Sequence, residues 1–148
     1  MAKREAKDVM LYFRSVADED NDDGAETAAT NLTSLLIPAS RLRWMNPLSN
    51  TTLGLYFDSI KNTEGADNQA DEITIADSVV LTISSNQARE VMNGIVQAIN
   101  SSSTGLVVVA DDVTTNVAGS TVTATYVHPD ITGIATDDIN CVAVHAGS

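Results

Sequence analysis

Apolar and polar positions alternate most cleanly between Ile73 and Ile83 (ITIADSVVLTI). Odd positions Ile73, Ile75, Val79, Leu81 and Ile83 are apolar; even positions Thr74, Ala76, Ser78 and Thr82 are small or polar, with Asp77 and Val80 outside the pattern. A period of two over this length predicts a strand with one buried face. The period then changes. Ala88, Val91, Met92, Ile95, Val96 and Ile99 recur at helical spacing and predict a helix over residues 85–100. Ser84-Ser-Asn-Gln87 just ahead of it matches a capping box, in which the Ser hydroxyl and Gln amide serve free backbone donors. Gly94 costs this helix roughly 1 kcal/mol relative to Ala and leaves room for close packing.

Leu106 to Ala110 (LVVVA) is an apolar run of strand length, as expected of a strand buried on both faces. The strand–helix–strand order fits a right-handed parallel crossover, and fits equally a helix laid over an antiparallel sheet. Further strands are expected at Asp8–Ala17, Thr51–Ile60, Thr121–Val127 and Ile139–His145. Leu32 to Arg43 is apolar but interrupted by Pro38, which predicts an edge strand or a bulge. Trp44-Met-Asn-Pro47 reads as a turn, and so do residues 111–120 and the stretch from His128 to Gly133. Ala17–Asn31 and Lys61–Asp71 read as polar loops. The expected fold is α+β in one domain over residues 1–148. It has seven or eight strands in a mostly antiparallel sandwich or barrel-like sheet, with one helix on its face.

Composition narrows this further. A chain of 148 residues buries enough surface to need no disulfide or metal, and its 4% aromatic content leaves the core to Val, Ile, Leu and Ala. Cys141 is the only cysteine, which fits synthesis in a reducing cytoplasm. Met1-Ala-Lys-Arg is basic, but no apolar run follows it and no stretch approaches a membrane span. Neither a signal peptide nor a transmembrane segment is expected. The net charge is −12, and all eight basic residues precede residue 91. Such a chain repels phosphate backbones and anionic membranes, so neither nucleic acid nor membrane is an expected partner.

Few residues offer chemistry. Asp18, Asp20 and Asp22 alternate before Gly24 and suggest a calcium loop, but the sixth position from Asp18 is Asp23 and the twelfth is Ala29. A calcium-binding helix–loop–helix needs Gly and Glu there. The run reads first as a solvated loop, with a loosely held hard cation as the alternative. Cys141 and His145, four apart on a strand, have Cα atoms about 13 Å apart, too far to share a metal directly. Cys141 reads as a core residue and His128-Pro-Asp130 as turn chemistry; an enzyme using Cys141 or His128 is the remaining catalytic alternative. Phosphate-cradling glycine loops and paired-cysteine motifs are absent from the sequence, so no cofactor is expected. Arg41, Arg43 and Trp44 are candidate contact residues, because Arg and Trp are favoured interface anchors. Strand alternation would put both arginines on one face and Leu42 with Trp44 on the other.

The stretch Asp71 to Asp111, above all Asn86–Asn100 (NQAREVMNGIVQAIN) leading to Gly105-Leu-Val-Val-Val-Ala-Asp111, resembles small virion structural proteins of tailed phages, particularly those of marine cyanobacterial hosts. Tyr126-Val-His-Pro-Asp-Ile-Thr-Gly133 adds to the likeness. The resemblance implies a multimeric protein with no active site, found in the virion after synthesis in the host cytoplasm. Such a protein decorates or cements a capsid, or belongs to a tail or neck. Its partners would be other copies of itself or a major capsid or other virion protein. A calcium-dependent binding or adhesion module using the acidic loop is the main alternative.

Overall fold

The computed structural model describes residues 9–21, 34–58 and 77–140, with the backbone alone at Asn21, Asp77 and 135–140. Among the described residues, eight strands form two four-stranded sheets, and one α-helix joins them. The first sheet has the order β2 (Ser34–Pro38), β1 (Met10–Arg14), β6 (Leu106–Asp111), β7 (Thr125–Tyr126). The second has the order β3 (Leu42–Ser49), β4 (Thr52–Phe57), β5 (Asp77–Ile83), β8 (Ile131–Asn140). All pairings are antiparallel except β1 with β6. The architecture is α+β and sandwich-like rather than a closed barrel.

Alternation does what it should in both sheets. Leu11 and Phe13 of β1, Leu53, Leu55 and Phe57 of β4, and Val79, Leu81 and Ile83 of β5 all turn inward and are buried. Phe13 and Phe57 meet edge to face across the core, with ring centroids 6.1 Å apart, and join the two sheets. The rest of the core is aliphatic, as the composition requires.

The helix, α1 (Ala88–Ser101), lies where the pattern placed it. It carries the chain from β5 in one sheet to β6 in the other, so β5, α1 and β6 do not form a parallel crossover within one sheet. Val91, Ile95 and Ile99 enter the core that both sheets share. The capping box does not form: Gln87 is the N-cap and makes no side-chain capping bond. Ser84 instead starts a tight turn in which Gln87 N–H donates to its carbonyl at 3.1 Å. Asn86 takes the left-handed conformation (φ 63°), which Asn tolerates better than most residues.

Three other expectations change. Trp44–Pro47 is no turn but the middle of β3; as an edge strand, β3 tolerates Pro47, which has no N–H to give a neighbour. Pro38 does end the edge strand β2, and Ala39–Arg41 form a short 3-10 turn before β3. The Thr121–Val127 strand shrinks to two residues, and the region from 131 is a strand of ten residues instead of a turn. β8 pairs with β5 in a broken register, Leu81 opposite Ile134 but Val79 opposite Ile139, so no period of two survives in its sequence. The expected strand Ile139–His145 lies mostly outside the described residues.

Gly94 is where helix and turn meet. A Cβ there would sit 2.7 Å from Cδ2 of His128, whose Nδ1 accepts the Asp130 N–H at 3.1 Å. Helix propensity alone favours Gly94→Ala by roughly 1 kcal/mol. We expect the reverse sign: the His128 ring must leave its place, and stability falls by about 1–2 kcal/mol. A thermal or denaturant midpoint at or above that of the parent protein would show that the ring gives way freely.

Candidate functional site

The three contact candidates are close in sequence but are placed by different means. Arg41 closes the 3-10 turn, and its carbonyl accepts the Asp58 N–H at 2.8 Å. Arg43 occupies a β-bulge: Leu42 faces Phe57 and Trp44 faces Tyr56, so Arg43 is the extra residue of β3. A bulge cancels the alternation that would send Arg43 and Trp44 to opposite faces. Arg43 and Trp44 are therefore together, the guanidinium carbon 5.5 Å from the indole centroid.

Trp44 stacks on Tyr56, its cross-strand partner, at 5.3 Å and 25°. Gly54 makes this possible. A Cβ on Gly54 would lie 2.7–2.9 Å from the Tyr56 ring and hydroxyl, so the ring lies flat over a position where only hydrogen fits. Arg43 Nε meets Asp58 Oδ1 at 3.2 Å, and both side chains are more than half exposed, at 58% and 53%. Trp44, the only tryptophan, is 49% exposed. On this outer face one rung reads Trp44–Tyr56–Ser78 and the next Asn46–Gly54–Val80. Neither rung carries a charge. Sequence reasoning picked out Arg43 and Trp44 but missed Tyr56, Gly54 and Asp58; Gly54 within an aromatic strand was the available signal.

The acidic candidates separate. Asp18 Oδ1 accepts the Asp20 N–H at 3.0 Å, a local turn, and Asp18 bridges to Thr115. Glu19 between them accepts from Arg14 Nη1 and from the Val117 N–H, both at 3.1 Å. Asp22 lies outside the described residues, as do Cys141 and His145. Among the described residues no cluster of three or more His, Cys, Asp or Glu side chains is arranged to hold a metal ion.

The strongest electrostatics lie elsewhere. Arg14 at the end of β1 grips Asp111 of β6 with two bonds, Nε to Oδ1 at 2.9 Å and Nη2 to Oδ2 at 2.8 Å. The bond to Asp111 raises the Arg14 pKa above its ordinary value. Asp112, the next residue, accepts the Tyr126 hydroxyl at 2.7 Å and the Ile134 N–H of β8 at 3.1 Å. Burial, and then the bond to Asp112, pushes the Tyr126 phenol well above its ordinary range. These groups are engaged with one another and form a structural tie. The open cleft between the end of α1 and β6 is likewise lined by hydroxyls spent locally: Ser101 donates to the Gln97 carbonyl and Ser102 accepts from Gly105 N–H.

Comparison with family models, curated proteins and solved structures finds no match to the chain.

Tyr126 gives a pH signature. Its proton is held more tightly in the folded than in the unfolded chain, so its contribution is whole below pH about 10 and is lost as pH rises past that point. Tyr126→Phe should cost roughly 1–2 kcal/mol at neutral pH. From pH about 9 to about 11 the variant should then lose less stability than the parent protein, as read from urea midpoints. Parallel pH profiles would show that the phenol is not held by Asp112.

Proposed function

We propose that this chain is a non-enzymatic virion structural protein of a tailed phage, a capsid decoration or cement subunit working through protein–protein contacts. One observation carries the contact reading: the Arg43–Trp44–Tyr56 stack, exposed on a sheet face and already held in place before any partner arrives. Trp, Tyr and Arg are the residues most enriched at binding hot spots, and rigid ones lose least entropy on binding. The virion setting rests on the sequence resemblance of Asp71–Asp111. A tail or neck subunit would use the same contact chemistry. No helix among the described residues is long and apolar enough to cross a membrane.

The calcium-dependent adhesion module is the second reading, motivated by Asp18, Asp20 and Asp22. Against it, Asp18 and Glu19 already accept protein hydrogen bonds.

Two measurements test the proposal. Quantitative mass spectrometry of purified particles of a phage encoding the chain should find it in many copies per particle. Its absence from particles overturns the virion assignment. Melting with and without millimolar calcium should give one temperature, since a ligand binding only the folded state raises the midpoint. A rise with calcium replaces the proposal with the adhesion module.

A further inference from the structure

We infer that the outer face of β3 and β4 pairs with the same face of a second copy of this chain, about a two-fold axis. The inference rests on the reading above that this face makes protein contacts, and it names the partner.

Charge selects the face. Two copies each carrying −12 repel, so a contact between them belongs where the surface is locally neutral. Among the described side chains, the two rungs around Trp44 and Tyr56 are uncharged, and the ion pair of Arg43 with Asp58 lies at their margin. That pairing is self-complementary. About a two-fold axis, Arg43 of one copy reaches Asp58 of the other and the reverse contact follows by symmetry. The Arg43–Asp58 pair within one chain is more than half exposed, the kind of pair that holds little energy and exchanges partners readily.

The same strand disfavours edge-to-edge addition. β3 holds Pro47 and register breaks at Leu42/Trp44 and Pro47/Ser49, devices that blunt an edge against a further strand. Copies therefore meet face to face, with Trp44 at the centre. The rungs span three strands, a small patch beside the roughly 800 Å² per partner of a standard interface. The dimer is accordingly weak, with a dissociation constant on the order of micromolar or above.

Sedimentation velocity from about 10 µM to about 1 mM reads the equilibrium directly. The parent protein should pass from monomer to dimer and no further. Trp44→Ala should weaken the dimer about thirtyfold, the scale of a hot-spot anchor. Arg43→Glu and Asp58→Arg, each alone, should weaken it about tenfold, because each sets like charges opposite one another at both contacts. Mixing these two variants in equal amounts should recover the dimer. In the mixed dimer the glutamate introduced into one chain meets the arginine introduced into the other, while the native Asp58 of the first meets the native Arg43 of the second. Recovery cannot arise within a chain, since each variant still carries its own like-charged pair, and it needs both variants folded. A parent protein that stays monomeric at the highest concentration, or forms a closed trimer, overturns the inference. So does a mixture no tighter than its components when both variants melt like the parent. None of these outcomes touches the particle measurement, so the virion assignment stands or falls separately.

Discussion

Asp111 and Asp112 leave β6 as neighbours and bind in two different directions. Asp111 takes the two-pronged grip of Arg14 and locks β1 beside β6, the one parallel pair among the described strands. Asp112 takes Tyr126 from β7 and the Ile134 backbone N–H from β8, and so links the first sheet to the second. Both carboxylates are partly buried, where removing one member of an ion pair leaves the other uncompensated. The junction ties β1, β6 and β7 of the first sheet to β8 of the second. Arg14 and Asp111 are 97 residues apart, and β2 to β5 and α1 lie between them in the chain.

The core is consistent with that junction but does not specify it. Small aliphatic side chains from both sheets and from α1 form one cluster, with Phe13 and Phe57 as its aromatic contact. Such a core is permissive, because it tolerates exchange among Val, Ile and Leu of similar volume. Directional groups remove that ambiguity. The bidentate Arg14–Asp111 bond, the Tyr126–Asp112 bond and the His128 ring over Gly94 each fit one arrangement only. Polar bonds here choose among packings that burial alone would leave close in energy.

The exposed stack on the second sheet is built by the same logic turned outward. Gly54 gives up a side chain so that Tyr56 can lie flat, Tyr56 supports Trp44, and a bulge brings Arg43 alongside. A half-exposed tryptophan arranged this way has little freedom left to lose. The protein thus shows a rigid aromatic stack beside a balanced Arg43–Asp58 pair although the chain as a whole is strongly acidic.

The sequence alone determined the parts whose burial is regular. The period of two at β5, the strand at β6 and the three-to-four spacing of α1 were all legible, and with them the strand-rich α+β class. The expected burial of β6 on both faces was not met, since Leu106 is exposed and Val108 only half-buried. Arg43 and Trp44 were legible as contact candidates from residue type. Tertiary structure decided what depends on a neighbour. It made Trp44–Pro47 a strand, because at a sheet edge Pro47 breaks no ladder. It put Arg43 beside Trp44 through a bulge, gave Tyr56 and Asp58 their roles, and drew a ten-residue strand from a segment without alternation. It also made the helix a link between two sheets, with its apolar face in the core they share. The physical reason is common to all of these: periodicity records which side of a segment is buried, while register, bulges and pairing are set by strands far away in the chain.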